Sequence, residues 1–345
     1  MRKVLVIGLL LTAVIYILPV FCGLLEQEEP LSIPQESVAA DAEITESPPA
    51  EGEQTVTDES IVANGEITVL VDGEARTMKL EDYVVSVVAG EISPDFPTEA
   101  IRAQAVAART YALYKQKTGR PAQHEEADVC DDPAHCAAFV DLKTEAAARW
   151  GEQADTAQDV IRQAVEDTAG QVLTYEGEPI VAVFSSAAGE KTERAVDVWG
   201  SDIPYLQSVD SPGGEACPKY YDAVVLTADE IRERAAKTLP SADLSGDPSG
   251  WFKASERSEA GGIVRMKFGG VEVKGTVMRT LLGLNSTNFT VKIDGNTLTF
   301  TTTGYGHGVG LSQWGAKYSA EQGQTYDEIL AHYYPGTTLT TISTE

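Results

Sequence analysis

Residues 124–136 read HEEADVCDDPAHC and hold two of the chain's four histidines and two of its four cysteines. His124, Cys130, His135 and Cys136 offer two imidazole nitrogens and two thiolates, a donor set that suits tetrahedral zinc. Four protein ligands leave no position for a reacting water, so an ion held by all four is structural. The spacing is not that of a zinc finger. A Cys130–Cys136 disulfide beside two surface histidines is a second reading, suited to an oxidising compartment. A third is a zinc hydrolase, which requires one of the four ligands to be released. Asp128, Asp131 and Asp132 stand close enough in sequence to support the ligands.

The segment GYGHGVGLSQWGA, residues 304–316, sets four glycines around His307 and then presents Ser312, Gln313 and Trp314. Glycine spacing of this kind serves any hairpin that crosses beneath another element. A histidine, a hydroxyl, an amide and an indole beside close-approaching backbone also suit the wall of a sugar cleft.

Several elements must position these residues. GEITVLVDGEARTMKL has the alternation and the Asp72-Gly73 turn of a β-hairpin. LEDYVVSVVAGEIS carries apolar residues at helical spacing despite its β-branched valines. Thr98 opens an alanine-rich helix that runs to Gly119, and AAARWGEQADTAQDVIRQAVEDTAG reads as helical. QVLTYEGEPIVAVFSS reads as a hairpin bent at Gly177, and 228–238 as a helix. A β-rich block follows over GGIVRMKFGGVEVKGTVMRTLLGL and NFTVKIDGNTLTFTTTG, and YDEILAHYYPG closes the chain as a helix. The expected class is α+β, with helices early and β-rich lobes late, behind one N-terminal transmembrane helix.

That last expectation comes from the first residues. Val4 to Leu25 carries no charge and is long enough to cross a hydrocarbon core of ~30 Å, with Arg2 and Lys3 holding the N-terminus inside. No small-residue cleavage site ends it, so residues 1–25 are expected to remain as an anchor. Residues 26–60 hold eleven acidic residues, four prolines and no Lys or Arg, the composition of a flexible tether. Residues 61–345 are then the folded, extracytoplasmic body. A formal charge of −27 argues against a nucleic acid partner. Cys217 is left without an evident role.

LEDYVVSVVAGEISPDFPTEAIRAQAVAARTYAL, DVWG at 197–200, TLLGLNSTNF at 280–289, GYGHGVGLSQWGAK and YDEILAHYYPGT resemble the stage II sporulation protein D family, which includes an amidase enhancer. The resemblance runs from about Leu80 to Gly336. It implies a lytic transglycosylase that cuts MurNAc–GlcNAc bonds of peptide-stripped peptidoglycan strands during forespore engulfment and leaves 1,6-anhydro ends. It places the catalytic acid at Glu91 and makes Arg109 a cleft residue that orients substrate or a carboxylate; Asp197, Ser312 and Gln313 are candidate substrate contacts, and His307 is either another or a satisfied structural histidine. Some relatives bind structural zinc through two histidines and two cysteines in the region of 124–136. It also implies work beside stage II sporulation proteins P, an amidase, and M, on the mother-cell side of the engulfing septum. Chemically, one carboxyl suffices when the sugar closes on its own hydroxyl, and apolar walls around Glu91 would favour its acid form. At FSSAAGEKTER the chain departs from the family's Ser-x-Ser-Gly-Gly pattern, with Ala188 and Glu190 in place. A glycan-binding module that only stimulates an amidase is the non-enzymatic alternative.

Overall fold

The structure, a computed structural model, describes residues 62–63 and 65–344. β1 (Val62–Ala63) leads to a hairpin of β2 (Glu66–Val71) and β3 (Glu74–Lys79). Its turn is Asp72–Gly73, whose φ angles of 52° and 79° match the twist a two-residue hairpin requires. α1 (Leu80–Glu91) follows at once and buries Tyr83, Val84, Val85, Val87 and Val88. Packing on two sides overrides the weak helix propensity of valine. α2 (Thr98–Thr118) starts after Pro97 and ends where Gly119 takes φ 94°. Its small alanines let neighbours approach closely, and Ala100 through Leu113 are buried except Arg102.

β4 (Val129–Cys130) pairs in parallel with β2, Val69 beside Val129 and Leu70 beside Cys130, which fastens the cysteine–histidine loop to the hairpin. The helical run expected after it divides into α3 (Leu142–Trp150) and α4 (Ala154–Asp167), because Gly151 at φ 56° turns the chain between them. β5 (Gln171–Tyr175) and β6 (Glu178–Pro179) form only the start of the expected hairpin. Pro179 has no N–H to extend the ladder, and the chain runs through the core to β7 (Phe184–Ser185) and the single turn α5 (Ala195–Val198).

Residues 221–303 then build a second core of their own. β8 (Tyr221–Thr227), α6 (Ala228–Thr238), β9 (Phe252–Arg257), β10 (Ile263–Phe268) and β11 (Val271–Lys274) come first. α7 (Gly275–Leu282), β12 (Phe289–Asp294) and β13 (Thr297–Thr303) complete it. Two antiparallel sheets, ordered β12-β13-β8 and β11-β10-β9, enclose Phe268, Phe289 and Phe300 together with Met278 and Leu282 of α7. The β-rich block expected here therefore contains a helix. Gly275 begins it with no room for a side chain, since a Cβ there would lie 1.6 Å from the Ile263 carbonyl oxygen.

The chain returns to the first core through β14 (Leu311–Ser312), which pairs in parallel with β7, then α8 (Gln313–Glu321) and α9 (Tyr326–Tyr333). β15 (Thr338–Thr341) completes the β5–β6 sheet and β16 (Ser343–Thr344) pairs with β1. The class is α+β, and the second core is an insertion between β7 and β14. Among the described residues no helix is long and apolar enough to cross a membrane. The anchor and tether expected at 1–25 and 26–60 lie outside the described residues.

Candidate active site and metal centre

Glu91 is the last residue of α1 and is half-buried, while Ile92 behind it turns to extended backbone and is buried. Its Oε1 accepts from the Ala138 N–H at 2.9 Å, and its Oε2 accepts from Gln313 Nε2 at 3.2 Å. Gly90 makes the first contact possible. A Cβ at position 90 would stand 2.9 Å from both the Cβ and the carbonyl oxygen of Ala138, so only glycine lets the 136–140 loop lie on the helix end. Arg149 donates through Nη2 to the Gly90 carbonyl at 3.1 Å, a cation at the negative end of α1. Burial draws the Arg149 guanidinium down, and the nearby charges of Glu145 and Glu91 oppose that.

Gln313, nearly buried at the first position of α8, also donates through Nε2 to Gln104 Oε1 at 3.4 Å. Gln104 lies fully buried on α2, and its own Nε2 has no hydrogen-bond partner among the described residues. The helix end of α1, the middle of α2 and the start of α8 thus converge on one carboxyl. Beside them Phe96, five residues past Glu91, meets Trp314 edge-on with centroids 5.1 Å apart. Lys317 Nζ lies 5.8 Å and 5.5 Å from those two rings. Trp314 and Tyr305 pack on Ala187, Cys217 and Tyr220, and Lys219 Nζ sits 5.2 Å from the Tyr305 ring. Aromatic faces with cations held on them are suited to the C–H faces and polar substituents of a sugar chain.

Of the six non-metal site residues expected from sequence, this arrangement brings together Glu91 and Gln313. Arg109 stands elsewhere, fully buried in α2. It donates through Nε and Nη2 to the Glu81 carboxylate at 2.8 and 2.6 Å, and to the carbonyls of Gln171 at 3.1 Å and Val165 at 3.2 Å. Its donors are spent on tying α1, α4 and β5 to α2. Asp197, on α5, faces Arg194 at 3.7 Å. His307 is buried, donating from Nε2 to the Phe184 carbonyl at 2.9 Å and accepting at Nδ1 from the Val309 N–H at 3.0 Å. Burial, helped by the charge of Arg279, pushes it down to about 3, so it is a neutral strut between β7 and the glycine segment. Ser312 is fully buried as the N-cap of α8, its Oγ accepting from Gly315 N–H at 3.3 Å and Ala188 N–H at 3.1 Å. Sequence reasoning did not place Gln104, Phe96, Arg149 or Lys317 in the site. The available signal was adjacency, since Phe96 and Lys317 lie within five residues of Glu91 and Gln313.

A second cluster closes the 124–136 loop. One donor atom from each of His124, Cys130, His135 and Cys136 lies within 4.8 Å of every other. Cys136 Sγ is 3.4 Å from His124 Nε2 and 3.3 Å from His135 Nδ1, and Cys130 Sγ is 3.5 Å from His135 Nδ1. A tetrahedron with ordinary zinc–sulfur and zinc–nitrogen bonds has S···N edges of about 3.6 Å. The donor set therefore fits such an ion. His124 Nδ1 donates to the Ala127 carbonyl at 2.7 Å, which fixes the tautomer that frees Nε2 for a metal. Cys130 and Cys136 are not joined in a disulfide. The carboxylates act on backbone and cation rather than on the ligand rings. Asp128 accepts from Thr68 N–H at 2.9 Å and Arg120 Nε at 3.0 Å, and Asp131 from Asp72 N–H at 3.0 Å.

Comparison with known proteins fixes the lineage. The family model described as stage II sporulation protein matches residues 73–175. Stage II sporulation protein D of Bacillus subtilis (strain 168) is 36% identical over 264 residues, covering 76% of this chain and 75% of that protein. The Bacillus amyloliquefaciens protein of the same name is 36% identical over 263 residues, with 76% and 74% covered. This chain belongs to the stage II sporulation protein D family. A protein named amidase enhancer from Bacillus subtilis (strain 168) is 30% identical over 302 residues, covering 74% of this chain and 40% of that protein. Within this sporulation family, the matched stretch 73–175 contains Glu91, Gln104 and the four candidate ligands, while Gln313 comes from beyond it.

Proposed function

We propose that this chain is a membrane-anchored lytic transglycosylase of peptidoglycan glycan strands, with Glu91 as acid and then base. Glu91 gives its proton to the oxygen between MurNAc and GlcNAc as that bond breaks, and GlcNAc leaves as the alcohol. The C6 hydroxyl of the same muramyl residue attacks C1, and the Glu91 carboxylate takes the proton released. The product carries a 1,6-anhydro ring, no water is consumed, and one carboxyl serves both steps. What carries the reading is the setting of Glu91: half-exposed, held on each oxygen by a neutral donor, beside the Phe96–Trp314 pair. His124, Cys130, His135 and Cys136 would hold Zn²⁺, which supplies a cross-link in the loop that carries Ala138 and offers no open position for a reacting water. Residues 1–25 would anchor the protein with its body outside the cytoplasm, and stage II sporulation proteins P and M would be its partners, as the family resemblance implies.

A second reading is favoured by the relative named amidase enhancer: the same cleft binds glycan and stimulates an amidase without cleaving. One experiment separates them. Full-length wild type and Glu91→Gln are incubated with purified peptide-free glycan strands, and the products are weighed by mass spectrometry. The transglycosylase reading expects anhydro-ended products from wild type and a loss of about 10²–10⁴-fold in Glu91→Gln. Equal binding and no cleavage by either protein, with the amidase present, would establish the binding module instead.

A further inference from the structure

Glu91 must exist in two protonation states if it is the reacting carboxyl, and the residues behind it are two neutral amides. We propose that Gln104 and Gln313 form an amide relay that turns over with the protonation state of Glu91, and so make Gln104 a positioning residue for the acid step. The inference rests on the reading of Glu91 given above.

In one arrangement both hydrogens of the Gln313 amide are used, toward Glu91 Oε2 at 3.2 Å and Gln104 Oε1 at 3.4 Å. That arrangement serves a carboxylate. It leaves the Gln104 amide nitrogen, on a fully buried side chain, with no partner among the described residues. A buried N–H without an acceptor is disfavoured by about tenfold or more in population. A half-turn of each amide exchanges its oxygen and nitrogen with no change in shape. Gln313 Oε1 then accepts from the Glu91 hydroxyl and from Gln104 Nε2 on its two lone pairs, and the orphaned donor is satisfied. The buried group left unpaired is now the Gln104 carbonyl, which interiors tolerate better than an unpaired N–H, while the Gln313 amide nitrogen takes the position its oxygen held, which is not among the buried positions without a partner. The resting site is thereby biased toward the acid. Once the proton has gone to the leaving oxygen, the amides turn back and Gln313 donates to the carboxylate until the proton returns.

The charges around Glu91 stay fixed through this exchange. Arg149 on α3 and Tyr83 on α1 are coupled to its charge. On α8 Lys317 pairs with Glu321 at 2.5 Å. On α2 Arg102 pairs with Glu99 and Asp167, and Arg109 with Glu81. Residues 137–140, Ala-Ala-Phe-Val, add no titratable side chain.

The experiment uses full-length protein without substrate. The Glu91 carboxyl is titrated by carbon-13 NMR, with Glu91→Gln as the assignment blank, in wild type and in Gln104→Met, which keeps the volume and removes the amide. The relay expects the Glu91 titration to move to lower pH in Gln104→Met. The protonated fraction at neutral pH should then fall about tenfold. Cleavage should be lost to the same extent on the alkaline side and match wild type at the acid end. In wild type, the Gln104 and Gln313 side-chain amide resonances should follow the Glu91 midpoint. An unmoved or raised midpoint in Gln104→Met overturns the relay. Should that variant not fold, wild-type amides that ignore the Glu91 titration overturn it equally. Absent cleavage with these titrations intact would defeat the transglycosylase reading and leave the relay standing.

Discussion

The two candidate clusters, at Glu91 and in the 124–136 loop, differ in how fully they are satisfied. In the 124–136 loop every donor atom faces another, His124 is locked by a backbone carbonyl, and the neighbouring aspartates brace the chain around it. At Glu91 the carboxyl is partly open to solvent, and a buried amide nitrogen behind it has no partner among the described residues. A closed set is arranged for stability, and an open one, with polar capacity in reserve, is arranged for reaction. The contrast supports the proposal that an ion in the loop would be structural and that Glu91 would move the proton.

The sharpest way to break that contrast is to empty the closed set. Chelation, or Cys136→Ser, should lower the melting temperature on the order of 10 °C, read by calorimetry, with cleavage lost in parallel with folding. Prompt loss of turnover with an unchanged melting curve would move the loop from architecture to catalysis. Arg109 offers the next test, because it resembles a site residue by type and behaves as a satisfied one by contact. Arg109→Met should destabilise by about 2–4 kcal/mol in urea unfolding, since it strands the Glu81 carboxylate, which is 36% exposed and partly served by water. The rate per folded molecule should be nearly unchanged. The effect that is smallest near neutral pH concerns His307. Its folded form binds a proton only near pH 3, whereas the unfolded chain binds one near 6.5. The unfolded state therefore holds more protons between those limits, and stability should fall with acid by up to about 1.4 kcal/mol per pH unit there. A His307 substitution that flattens this slope, with no new limb in the pH–rate profile above pH 5, would confirm a strut rather than a catalyst.

Much of the first core was legible because local rules and tertiary demands agree there. Asp72–Gly73 makes a hairpin turn, and Pro97 and Gly119 bracket α2. The α7 helix at 275–282 was hidden, since its helical spacing at Val277, Met278, Leu281 and Leu282 covers only eight residues inside a valine-rich block. The site was legible only in part. Nothing local distinguishes Arg109 from a substrate arginine, because its partner Glu81 stands 28 residues earlier. His307 reads either way in sequence and Ser312 looks available; both are consumed by the backbone of β7, the glycine segment and α8. Gln104 reads as one more residue on an alanine-rich helix until Gln313 is laid beside it.

The Glu91–Gln313 contact spans 222 residues, and the second core is made between its two halves. At ordinary synthesis rates roughly 10–45 s separate the emergence of one residue from that of the other. Throughout that interval the emerging chain carries the glutamate and lacks the amide that steadies it. A pair put together from distant parts of one message cannot form before the C-terminal helices have been made, so the topology acts as a timer on any chemistry proposed for Glu91.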